Sequence, residues 1–157
     1  MTRIASTRQV GRNCRVDQRL VAAGSTLTLT QAEHEGRTIC LDTTTGCTIT
    51  LPQATGSGAV YKFLQTVVAT TSSHVIKVAN TTDVMSGFVY VGTTTSDVCE
   101  FFATSATSDT ITLNRTTMGG TQIGEWIEIQ DAVLGVFTVR GFTRATGTEA
   151  APFSAAV

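Results

Sequence analysis

Four cysteines and two histidines are the residues of this chain most able to do chemistry, provided their spacing lets them act together. Cys40 and Cys47 bracket a threonine-rich turn in ICLDTTTGCTITL, residues 39–51, which is the spacing of a stapled hairpin. A bond there would place the protein in an oxidising compartment. Register argues against it. Ile39 and Leu41 share one face of the incoming strand, and Cys47, Ile49 and Leu51 share one face of the outgoing strand. A hairpin buries both sets together only if its loop has an odd number of residues. A loop of Thr44, Thr45 and Gly46, with Gly46 left-handed, meets that condition and sets Leu41 opposite Ile49. Cys40 then falls opposite Thr50 on the far face, where it cannot reach the ~3.5–4.5 Å Cβ separation of a disulfide. The expectation is a hairpin with two free thiols.

The other reactive types are no better grouped. Cys99 in VCEFF alternates with Phe101 toward the core as a small apolar residue, and Cys14 lies near the N-terminus. No CxxC or HxxxH occurs, so no zinc site is expected. In AEHEG, residues 32–36, Glu33, His34 and Glu35 are adjacent, but successive residues of an extended chain point opposite ways, and a solvated turn is expected. His74 stands alone at a strand edge, either packed or facing solvent. There is no GxSxG, and the glycines of TGSGAVYK run into a strand without the GK[ST] ending of a phosphate loop. Glu125 and Glu128 fall on opposite faces of their strand, unlike the paired carboxylates of a glycosidase. Asn80-Thr81-Thr82 and Asn114-Arg115-Thr116 match the glycosylation pattern, which means little for a chain whose N-terminal arginines precede no apolar secretion signal. The sequence therefore predicts no catalytic residue, no metal site, no cofactor and no enzyme activity.

The elements that carry these residues are strands. The chain of 157 residues is 41% hydrophobic but only 15% charged, below the ~25% of ordinary soluble domains, and threonine supplies the missing polarity. Threonine is β-branched and suits pleated surfaces. Alternating apolar positions predict strands at 25–30, 37–42, 47–51, 59–68, 74–80, 84–91, 97–103, 110–114, 125–130 and 135–142, with one helical turn at 31–36 and a flexible loop at 116–122. That pattern predicts an all-β protein: a single β-sandwich or jelly-roll-like domain of about ten short antiparallel strands over residues 25–145. No run reaches the ~20 apolar residues of a membrane span. The net charge of −1 predicts no bulk attraction to nucleic acid, but Arg3, Arg8, Arg12, Arg15 and Arg19 make residues 1–24 an extended basic arm. Residues 146–157 form an extended tail of small residues with Pro152 and Phe153. In EWIEIQD, Ile127 and Ile129 share one face and leave Trp126 beside Glu128 on the other, and Phe88 and Tyr90 in GFVYVG pose the same question. Interfaces are enriched in aromatics, so subunit contact is the preferred reading for Phe88, Tyr90, Trp126 and Phe153.

The ordered segments LPQATGSGAVYKF, VIKVANTTDVMSG, TSATSDTITLN, GEWIEIQD, FTVRGF and TGTEAAPFSAAV resemble a family of small virion proteins of tailed bacteriophages, the capsid decoration or cement proteins. The resemblance covers residues 37–157 and brings no catalytic residues. It implies an oligomeric β-sandwich, a homotrimer for preference, made in the host cytoplasm and clamping the major capsid protein on the outer surface of the expanded head. The five arginines of the arm are the expected capsid contacts, since arginine pairs carboxylates bidentately, although no family motif lies within the arm. The alternative is a receptor-binding or fibre module that recognises a host glycan around Trp126.

Overall fold

The computed structural model describes residues 20–94 and 98–157. Alternating β-branched and polar residues build twelve strands among these residues: β1 Leu20–Ala22, β2 Thr26–Thr28, β3 Thr38–Leu41, β4 Thr48–Thr50, β5 Val60–Gln65, β6 His74–Lys77, β7 Val84–Thr93, β8 Cys99–Ala103, β9 Thr110–Leu113, β10 Trp126–Val133, β11 Val136–Ala145 and β12 Phe153–Ser154. A single turn of helix, α1 Gln31–His34, lies between β2 and β3. All ten expected strands are present within a few residues of their expected ends. Two more, β1 and β12, form in segments read as arm and tail.

The strands form a seven-stranded sheet in the order β1-β3-β5-β10-β11-β7-β8 and a five-stranded sheet in the order β12-β9-β6-β4-β2. Both contribute to one apolar core, with Ile39, Tyr61, Phe63, Ile129 and Phe137 from the first and Ile49, Ile76, Ile111 and Leu113 from the second. Burial follows the period of two expected of half-buried strands: along β11, Phe137, Val139, Thr143 and Ala145 point in, and Thr138, Arg140 and Phe142 point out.

The hairpin expected at 39–51 does not form. β3 belongs to the larger sheet and β4 to the smaller, so residues 42–47 carry the chain across the core edge. Ile39, Leu41, Cys47, Ile49 and Leu51 are all buried as the alternation required, but from opposing sheets. The parity argument fixed which face is buried, and a crossing satisfies it as well as a turn does. Gly46 is left-handed at φ +81°, and a Cβ there would stand 2.4 Å from the Ser73 backbone oxygen. What decides for the crossing is its neighbours. Gly24 N–H donates to Asp42 Oδ1 at 2.9 Å, and Thr70 N–H donates to the Thr44 carbonyl at 2.6 Å, so three crossings stack on one another.

The expected antiparallel arrangement is corrected for the same reason. A chain that visits the other sheet between strands comes back running the same way, and β1-β3-β5 and β2-β4-β6 pair in parallel. Leu20 aligns with Thr38 and Thr38 with Lys62, so successive coils lie on one another in register. β7 and β11 are also parallel, while β10 pairs antiparallel with both β5 and β11. Both sheets are therefore mixed. No helix among the described residues is long and apolar enough to cross a membrane.

Candidate contact surface

Outward side chains of the seven-stranded sheet fall into rows set by the strand registers. One row runs Ala22, Cys40, Leu64, Trp126, Phe142, Tyr90, Phe101, crossing all seven strands without a charged residue. The adjacent row runs Leu20, Thr38, Lys62, Glu128, Arg140, Phe88, Ala103. Nothing within the described chain covers the aromatic end: Phe88 is 39%, Tyr90 43%, Phe142 44% and Phe101 54% exposed. Phe88, Tyr90 and Phe101 pack mutually, with ring centroids 5.1 to 5.8 Å apart. Phe142 lies over Gly92, its ring edge 3.3 Å from where a Cβ would stand, so the absent side chain makes room for the ring. Lys62 Nζ sits 5.7 Å from the centroid of half-buried Trp126, and Arg140 Nε donates to Glu128 Oε1 at 2.9 Å in an exposed ion pair. A shallow depression of about 300 Å³ opens over β7, β10 and β11 beside Phe88, Glu128, Gln130, Thr138 and Arg140.

The structure thus brings Phe88, Tyr90 and Trp126 to one face. Phe153 is elsewhere: β12 pairs with β9 in the smaller sheet, and the Phe153 ring packs on the core of its own chain. Phe101 and Phe142 join the face unannounced. Phe101 was expected inside with Cys99, but Cys99 and Phe101 are exposed and Phe102 is the ring packed on the core. Adjacent phenylalanines leave the period of two undecided, and pairing of Phe102 with inward Val89 decides it. Phe142 was legible, since it alternates with Thr138 and Arg140 away from the inward set of β11. Arg3, Arg8, Arg12, Arg15, Arg19 and Cys14 lie outside the described residues.

The described cysteines and His74 lie away from this face or outside its aromatic row, Cys40 excepted. Cys40, Cys47 and Cys99 are free, Cys40 and Cys47 being buried on strands or crossings of different sheets. His74 opens β6 and is fully buried, the packed of the two alternatives, with Nδ1 3.1 Å from Cys47 Sγ. Burial, reinforced by the Asp42 charge, pushes the Cys47 thiol up to about 12. The same burial lowers the imidazole, outweighing a hydrogen bond at the Val67 backbone and the Asp42 charge. Both groups are held neutral, the opposite of a thiolate–imidazolium nucleophile.

Carboxylates serve as ties for loop backbone. The TGSG segment does cradle an anion, but the anion is the protein's own Asp131, which accepts from the N–H groups of Thr55, Gly56 and Ser57 and from both hydroxyls, the Ser57 hydroxyl at 2.6 Å. Desolvation works to raise the Asp131 carboxyl, and these bonds, led by the Ser57 hydroxyl, bring it down to about 2. Glu125 accepts from the N–H groups of Gly120, Thr121 and Gln122, so the expected flexible loop is tied down. Asp109 accepts from Ala156 and Val157 N–H and anchors the tail. Asn80 and Asn114 each accept from N–H groups two or more residues ahead and form turns. At α1, Glu33 takes the Thr30 hydroxyl and Glu35 the Gln31 amide, while His34 Nδ1 accepts from Thr30 N–H, so the three do not converge. Among the described residues no group of three or more His, Cys, Asp or Glu is placed to hold a metal ion.

No protein-family model, curated protein or solved structure matches the chain.

Proposed function

We propose that this protein is a structural component of a tailed-phage virion: a decoration protein on the outer head surface that stabilises the shell by bridging subunits of the major capsid protein. In this reading the two sheets and their shared core form a sandwich whose product is contact area. The observation that carries it is the uncharged row from Ala22 to Phe101, which among the described residues leaves a sheet face of aromatic side chains open. Contiguous exposed apolar patches mark interaction surfaces. The sheet face serves self-association through Phe88, Tyr90 and Trp126, and the basic arm, with Arg3, Arg8, Arg12, Arg15 and Arg19, meets the acidic capsid exterior. Each bridge contributes modestly, and many bridges over a lattice must break before the shell opens.

Co-sedimentation with expanded heads of the phage that encodes the chain tests this. Full-length protein is expected to saturate the heads, and deletion of residues 1–20 to weaken binding by at least about tenfold. Full-length protein that ignores the heads defeats the reading, and undiminished binding after the deletion defeats the role of the arm.

The depression beside Phe88 favours a second reading, a fibre or receptor module, because it places hydroxyl, amide, carboxylate and guanidinium groups next to a ring, as sugar recognition requires. Glycan-array binding without head binding would select it.

A further inference from the structure

The partner for the open face is written in its own row order. Read across the strands, the central positions are Leu64, Trp126, Phe142, Tyr90 in one row and Lys62, Glu128, Arg140, Phe88 in the next. Reversing the strand order about the β10/β11 boundary exchanges Trp126 with Phe142 and Leu64 with Tyr90, so apolar still meets apolar. The same reversal exchanges Glu128 with Arg140 and Lys62 with Phe88, so a carboxylate meets a guanidinium and an ammonium meets a ring. That reversal is what a two-fold axis parallel to the strands does when one sheet face is laid on another.

The geometry points to a second copy of this chain as the occupant: two molecules pack their seven-stranded sheets face to face about a two-fold axis above the β10/β11 boundary. This rests on the reading that the face is a contact surface, and it names the partner. Shifting the axis by half an interstrand spacing, onto β10, sets Glu128 against Glu128 and Lys62 against Arg140, which like charges disfavour; a full strand's shift, to the β5/β10 boundary, pairs Lys62 with Glu128 but sets Arg140 against Thr38 and leaves Phe101 uncovered. Twisted sheets cross at roughly 30°, so the match is closest at the central strands, where the charged pair lies. Six strands overlap, β3 to β8 in sheet order, and five interstrand spacings of ~4.8 Å by about 20 Å along the strands give a footprint of about 480 Å² per partner, at the small end of specific interfaces. The intrachain Glu128–Arg140 pair becomes the corner of a four-charge cluster in which each charge has two opposite neighbours.

The full-length chain tests this by sedimentation equilibrium and by the emission of Trp126, its sole tryptophan. The native protein is expected at twice its 16.5 kDa chain mass at micromolar concentration, with Trp126 emission shifting to the red as dilution separates the copies. Glu128→Arg alone and Arg140→Glu alone should each weaken self-association by about tenfold or more, since each places like charges face to face. Mixing the two variants should restore a dimer of one copy of each, because the introduced arginine then meets the introduced glutamate across the axis. Restoration on mixing also shows that each variant is folded. A native protein that stays monomeric to about 100 µM, a species of three copies, or a mixture that fails to re-associate while both variants retain native circular dichroism overturns the inference. A monomer that still saturates phage heads defeats this inference and leaves the decoration reading standing, whereas a dimer that ignores heads upholds it and defeats that reading.

Discussion

At the scale of single residues, Asp109, Glu125 and Asp131 hold loop and tail backbone in place. Asp131 is the clearest case, and its linkage to pH has a definite sign. Its folded carboxyl lies near 2, below the ~3.9 of an unfolded aspartate, so its contribution is complete above about pH 4 and is lost as pH falls through 4 toward 2. Asp131→Asn should cost about 2 kcal/mol at pH 7 and flatten the acid limb of urea midpoints measured from pH 7 to 2. A variant whose acid limb matches the native one would show that the TGSG cradle is not the origin. Thiol reactivity divides as cleanly. Among the described cysteines, Cys99 should alkylate first in native protein, with Cys40 and Cys47 reacting only on unfolding, as read by peptide mass mapping. Free thiols at Cys40 and Cys47 were expected from a hairpin register that does not form; they are apart because β3 and β4 lie in different sheets. The Cys47–His74 contact was not legible in the sequence, because residues 27 apart meet only through the parallel pairing of β4 and β6.

At the scale of elements, alternation located the strands but not their partners. The period of two says which residues are buried, and it is silent on whether a strand's neighbour follows it at once or one coil later. Hence ICLDTTTGCTITL reads equally as a turn within a sheet and as a passage between sheets. Gly46 separates the two, since only the stacked crossing brings Ser73 against it. Gly46→Ala should therefore cost about 2 kcal/mol or more in urea denaturation, above the penalty of an isolated left-handed turn. A loss below about 1 kcal/mol would mean the crossings are not packed as described. The tail makes a similar point. Its small residues read as an unattached segment, yet Asp109 and the pairing of β12 with β9 fix it, and Phe153→Ala should cost about 2 kcal/mol and release the amides of residues 153–157 to faster hydrogen exchange.

At the scale of the molecule, stacked parallel coils join the later strands through both sheets, β5 pairing with β10 and β6 with β9, and the result is a broad face that the described residues leave open. The aromatic members of that face were partly legible, Trp126, Phe88 and Tyr90 from alternation, while Phe101 was hidden by its neighbour Phe102. The proposed assembly on a phage head requires this face to be covered while other exposed apolar residues remain open. Hydroxyl-radical footprinting of the full-length protein bound to expanded heads measures that directly, with Val133 and Leu134, 57% and 77% exposed and outside the rows, as internal controls. The account predicts that Phe88, Tyr90, Phe101, Trp126 and Phe142 lose at least about half of the labelling they show in dilute free protein, with the controls unchanged. Equal labelling of the five rings in the free and the assembled protein would contradict it.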